Sequence, residues 1–182
     1  MEILAGRKMK SLPKRTDVRE GDTWDLRSLF ASDTEWDEAL LEWEKRILLF
    51  RDYVGTLGES ADKLAQCLIF DLEIDREADR LGTYAHLRMS EDTAATPAQR
   101  MMGRFQHAAT KAGELASFLQ PEIMAIRPSV LDGWLEEPVL QPFRLMLERV
   151  VRNRPHVLSE PEERILAMQG TFSGTAGKVF RQ

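Results

Sequence analysis

The stretch Ser32-Asp33-Thr34-Glu35-Trp36-Asp37-Glu38-Ala39-Leu40-Leu41-Glu42-Trp43-Glu44-Lys45-Arg46-Ile47-Leu48-Leu49-Phe50-Arg51-Asp52-Tyr53-Val54 decides the fold class. Ser32 and Glu35 have the spacing of a capping box, in which a hydroxyl and a carboxylate each take up an orphan backbone N–H. Behind them Trp36, Leu40, Trp43, Ile47, Phe50 and Val54 recur at alternating intervals of four and three. That spacing puts six large apolar side chains along one stripe of a helix of about 22 residues, ended by Gly55 and Gly58. At such spacing the two tryptophans are core residues rather than a ligand box.

A second helix is expected from near Ser60 to about Met89. Leu68, Phe70, Leu72 and Ile74 alternate with neighbours that include Asp71, Glu73 and Asp75, as in a half-buried strand. The helical spacing of Leu64, Cys67, Leu68, Ile74, Ala78, Leu81, Ala85 and Arg88 is longer and meets no turn residue before Gly82, so helix prevails. Gly82 would let another helix come close. Residues 59–92 hold nine acidic and four basic groups, which gives this helix an acidic outer face.

Thr96 before Pro97 is expected to cap a third long helix. Its stripe is rich in small residues: Met101, Met102, Phe105, Ala108, Ala109, Ala112, Leu115, Ala116 and Leu119. Phe118–Glu122 breaks it, and Glu122–Ile126 adds a further turn or two before Pro128. Shorter pieces follow, with Leu140, Phe143, Leu147 and Val150/Val151 lining one of them. Ser159-Glu160-Pro161-Glu162 forms a second capping box ahead of Ile165, Leu166, Met168 and Phe172. The expected fold class is all-α: an antiparallel multi-helix bundle with three long helices followed by shorter ones. Residues 1–22 form a basic leader of net charge +3 over the first 20 residues, and 23–182 form the helical body.

The 182 residues are 43% apolar and 30% charged, with a net charge of −5, which suits an ordinary folded domain and not a disordered one. One cysteine, Cys67, excludes a disulfide-stapled fold and a thiolate metal cluster, and is expected to be a small buried hydrophobe. No uncharged apolar run is long enough to span a membrane, and the opening Met1–Lys10 lacks the order of a signal peptide, so a cytoplasmic location is expected. An acidic body without aromatic interleaving argues against nucleic acid.

Several motif look-alikes fail on chemistry. Gly170–Val179 resembles a phosphate loop, but Phe172 stands where glycine is required and Val179 where a magnesium-binding hydroxyl should follow Lys178. Asp71, Glu73 and Asp75 have the opening spacing of a calcium loop, yet Arg76 and Gly82 occupy the turn and bidentate positions. His86 is expected to be partly buried or capping, His107 to lie on a polar face, and neither joins His156 in a ligand spacing. No catalytic, cofactor-binding or metal-ligating residue is selected.

Arg152-Asn153-Arg154 followed by Pro155-His156-Val157-Leu158-Ser159-Glu160-Pro161-Glu162-Glu163-Arg164-Ile165-Leu166 closely resembles the late N-terminal region of bacterial oligoendopeptidase F and its relatives. Trp24-Asp25-Leu26 with Leu29-Phe30, the run Phe50–Leu57, Leu81–Leu87 with Asp92-Thr93, and Ser117–Ile123 resemble other parts of that family in the same order. The resemblance covers about residues 20–180. It implies the helical N-terminal lobe of a zinc-dependent oligopeptidase related to thimet oligopeptidase, walling a cleft that admits short peptides. In that family zinc is held by a His-Glu-x-x-His helix and a further glutamate, with the motif's own glutamate acting as base on the metal-bound water.

None of those positions exists here, so the resemblance carries over no ligand or catalytic residue, and zinc is implied only for a longer parent. Its implied partners are the absent C-terminal catalytic domain and an oligopeptide. The apolar face of Ile165, Phe172 and Val179 adds the expectation of a homodimer. The alternative is a free-standing helical interaction or scaffold module without enzymatic activity.

Overall fold

A computed structural model describes residues 17–154. The expected capping box at Ser159, the glycine-rich end, the dimerising face and His156 lie outside them. Six α-helices run through the described residues: α1 (Asp33–Arg46), α2 (Ala61–Glu91), α3 (Thr96–Ala116), α4 (Leu119–Ala125), α5 (Pro128–Trp134) and α6 (Arg144–Arg152). Short 3-10 turns join them, and no strand occurs among the described residues, so the chain is all-α. Contacts divide it into two units. Among the described residues, the first comprises 17–54 and 66–118, the second 55–65 and 119–154.

In the first unit, Ser32 Oγ accepts the Glu35 N–H at 3.2 Å, and the Glu35 carboxylate accepts the Ala31 N–H at 2.7 Å. The box therefore closes one residue upstream of its usual partner. Trp36, Leu40, Trp43, Ile47 and Phe50 are all buried. The helix is shorter than its periodicity predicts: α1 ends at Arg46 and Ile47–Asp52 continues as a 3-10 segment. Three residues per turn keep Ile47 and Phe50 on one line, and the following turn carries Val54 to solvent, where it is 54% exposed. Val54 is thus not part of the buried stripe. Gly55 then takes a left-handed φ of +80°, open to glycine at little cost.

Two indoles set how α1 lies on α2. Trp36 Nε1 donates to the Leu81 carbonyl at 2.9 Å and Trp43 Nε1 to the Ile74 carbonyl at 3.0 Å. Both steps are seven residues, in opposite chain directions, so α1 and α2 are antiparallel and locked in register. Each buried indole N–H is satisfied by the backbone, which avoids the cost of an orphaned donor. Next to these contacts, a Cβ at Gly82 would stand 2.7 Å from two ring carbons of Phe105, so glycine is what permits this contact with α3.

α3 begins one residue earlier than expected, at the position read as its cap. Ala95 is the N-cap, Thr96 is already helical, and no side chain caps the end. The polar demand of the turn is met ahead of the helix, where Asp92 Oδ1 accepts the Ala94 N–H at 3.0 Å.

The second unit is tied by two charged side chains. The Glu122 carboxylate on α4 accepts the N–H groups of Gly55 at 2.6 Å and Leu57 at 3.4 Å. The Arg154 guanidinium donates to the carbonyls of Ile123, Met124 and Ile126 at 3.3, 3.0 and 2.7 Å, a cation on the carbonyl-rich end of α4. Leu140 and Leu147 are fully buried and Phe143 nearly so.

Candidate functional site

The densest polar cluster lies where the start of α1 meets the end of α2. Asp33, the first residue of α1, accepts Arg88 Nε on Oδ1 at 3.0 Å and Nη2 on Oδ2 at 2.8 Å. Tyr84 Oη donates to the same Oδ1 at 2.8 Å, and Arg88 Nη1 reaches Glu91 at 2.8 Å. Tyr84 meets Phe30 edge-on at 5.3 Å, and the Arg80 guanidinium lies 4.2 Å from the Phe30 ring centroid. A cavity of about 300 Å³ opens beside this cluster, bordered by Trp24, Arg27, Phe30, Tyr84, Arg88 and Glu91.

The chemistry of the cluster is that of a clamp. The Arg88 hydrogen bonds hold the Asp33 carboxyl below the usual aspartate range, against the opposing effect of burial. Burial, followed by the hydrogen bond to Asp33, pushes the Tyr84 phenol up to about 12, and the Arg88 pKa is raised chiefly by its Asp33 bonds. Asp33 is therefore ionised, Tyr84 neutral and Arg88 charged throughout the physiological range, and none of them is poised for proton transfer. Sequence periodicity put Arg88 in line with an apolar stripe. Its partner lies 55 residues away, and an acid at a helix start facing a Tyr–Arg pair at i, i+4 was the only local sign.

A depressed aspartate pKa stabilises the fold above the unfolded value, and that contribution disappears as pH falls through the folded one. Arg88→Met should cost about 1 kcal/mol near neutrality, reduced from a buried charged bond because both side chains are over a third exposed. Denaturant titrations should show the gap between variant and parent closing below about pH 4.

A second feature is a groove of about 210 Å³ between α2 and α3, floored by Trp43 and Phe50 and walled on the α3 side by Ala109, Ala112, Gly113 and Ala116. Asp71 and Asp75 stand on its α2 side. Burial, with a smaller push from Asp75, raises the Asp71 carboxyl to about 6. Its proton is held more tightly in the folded chain, so ionisation destabilises the fold as pH rises from about 4 to about 6. Asp71→Asn should consequently stabilise the chain by about 1 kcal/mol above pH 6 and by nothing below pH 4, screening having reduced the full linkage value. Melting curves across that range test the sign.

The other residues singled out in the sequence are not brought together. Cys67 is buried, as expected. His107 is exposed on α3, in line with its polar face, whereas His86 is also exposed, contrary to the partly buried or capping role expected. Among the described residues no three His, Cys, Asp or Glu side chains converge to hold a metal. The described residues therefore do not fit a zinc site. No described helix is long and apolar enough to cross a membrane.

A family model described as Oligopeptidase F matches residues 122–182. Oligopeptidase PepF of Bacillus subtilis is 33% identical over 96% of this chain, which spans 26% of that relative. Group B oligopeptidase PepB of Streptococcus agalactiae is 29% identical over 91% of the chain and 28% of its own length. Among solved structures, a putative peptidase from Chlamydophila abortus superposes with a TM-score of 0.80 at 25% identity, over 93% of this chain and 29% of that one. Oligoendopeptidase-F from Enterococcus faecium gives 0.66 at 30% identity, over 81% and 29%.

An all-helical chain without an assembled reaction centre among its described residues, matched along nearly its whole length, corresponds to the N-terminal part of an oligoendopeptidase. The chain belongs to the oligoendopeptidase F family. It spans about a quarter of the length of the curated relatives it matches.

Proposed function

We propose that this chain is the non-catalytic N-terminal lobe of a zinc-dependent oligoendopeptidase, one wall of a cleft that admits short peptides and excludes folded or long chains. The observation carrying this is the coverage. Nearly all of the chain aligns with peptidases roughly four times its length, so the reacting groups of such an enzyme belong to the remaining polypeptide. Rigid helices with buried seams suit a wall, since a steric limit on substrate requires shape and needs no reactive side chain. The partners in this reading are a C-terminal catalytic domain, which would hold the zinc, and an oligopeptide substrate. A cytoplasmic setting belongs to the same proposal.

A chimera tests it. When this chain replaces the matching segment of Bacillus subtilis Oligopeptidase PepF, the product should cleave a short quenched peptide and spare unfolded casein. The 182-residue chain alone should cleave neither. A folded chimera that cleaves casein as readily as the short peptide would refute the cleft-wall role.

A further inference from the structure

We propose that the groove between α2 and α3 is a docking site for the arginine side chain of a transiently bound peptide. The groove has the size of one long side chain rather than of a helix, at about 210 Å³. Its floor of Trp43 and Phe50 and its alanine and glycine wall suit the alkyl stem of a basic residue, which buries its methylenes and keeps its charge at the mouth. There stand Asp71, half-buried, and Asp75, with Asp79 one turn further along the same edge of α2. Like charges four residues apart on a helix repel one another.

Within the described residues, none of these three aspartates has a hydrogen bond or ion pair. Several other acids of the same unit that face a neighbouring helix are matched: Asp33 by Arg88, Asp37 by Arg104, and Glu73 and Glu77 both by Arg46. Opposite the aspartate edge, α3 presents mainly alanines. Its Lys111 is exposed and paired with neither Asp71 nor Asp75, and Glu114 adds no positive charge. Charge complementarity at this edge therefore favours a cation brought from outside. A guanidinium fits best, because its planar fork can engage a carboxylate through two parallel bonds while its flat face lies against apolar walls.

The exposed, charged rim distinguishes this groove from a permanent interface, whose surface is more apolar. A second copy of the chain bears the same net charge of −5 and is electrostatically disfavoured. The inference goes beyond the lobe assignment, since the site lies wholly within the first unit and can be measured in the chain as it stands.

The test is an amide-shift titration of the intact 182-residue chain with N-acetylarginine amide and with its uncharged isostere N-acetylcitrulline amide. Saturable shifts at Ala109, Ala112, Gly113 and Ala116 are expected, with the arginine compound bound roughly tenfold more tightly, as befits a charge-assisted pair. That preference should vanish in Asp71→Asn/Asp75→Asn and weaken from about pH 8 to about pH 5, as the carboxyl takes up its proton. The substitutions remove repelling charges, and unchanged shifts elsewhere would show that the fold persists. No saturable shift, equal binding of the two compounds, or an unaltered preference in the double variant would overturn the proposal. Any of these leaves the chimera result untouched, and a failed chimera leaves this one untouched.

Discussion

Replacing Trp43 with alanine should destabilise the chain by about 3–5 kcal/mol, the largest single effect expected in the first unit. The side chain is 2% exposed, floors the contact between α1 and its neighbours, and stacks on Phe105 with centroids 6.3 Å apart. Its loss removes the transfer energy of a large ring and leaves a cavity that α-helical walls cannot readily close. The indole also donates to the Ile74 carbonyl, but that oxygen belongs to an α-helix and keeps its helical partner. Trp43→Phe, which loses the bond and part of the volume, should therefore cost clearly less than the alanine. Urea titration of the three proteins measures this. Equal losses for phenylalanine and alanine would mean that the hydrogen bond, not the filled volume, holds α1 in place.

Gly82→Val should cost about 1–3 kcal/mol, the usual range for overpacking a close contact. A Cβ would meet the Phe105 ring at 2.7 Å, and the ring is held by its stack on Trp43. Helix propensity acts the other way, because valine is preferred over glycine in a helix interior, so the observed loss is what remains after that gain. Phe105→Ala should be costly by itself yet should make room for the larger side chain of Gly82→Val. The double variant should then be more stable than the two single losses predict, by an interaction energy of about 1 kcal/mol or more. Strict additivity would show that the two helices can separate locally without affecting the rest of the unit.

Both effects originate in features that differ in how far they can be seen in the chain itself. Trp36, Leu40, Trp43, Ile47 and Phe50 were legible as a buried stripe because helical periodicity is a local property, read within a few turns. The Ser32–Glu35 cap and the close approach at Gly82 were legible for the same reason, since a short polar side chain or a missing Cβ states its requirement at its own position. The likeness to oligoendopeptidase F was also legible, through motifs whose order outlasts much of the surrounding sequence.

Register was not. The indoles of Trp36 and Trp43 bond to backbone carbonyls of Leu81 and Ile74, and a carbonyl is the same acceptor whatever residue bears it. Arg88 was read with its own helix, while its charge is answered by Asp33 on another. Val54 kept the stripe's spacing but not its burial, because the tighter 3-10 segment from Ile47 and the turn after it changed its direction. The groove arises where small side chains of α3 fail to fill the space above Trp43, and Asp71 was only one acid among nine until that packing half-buried it. Sequence by itself determined the helices, their buried faces and the family. Tertiary structure decided which faces meet, in what register, and which charges are left unanswered, because those depend on atoms brought together from distant positions.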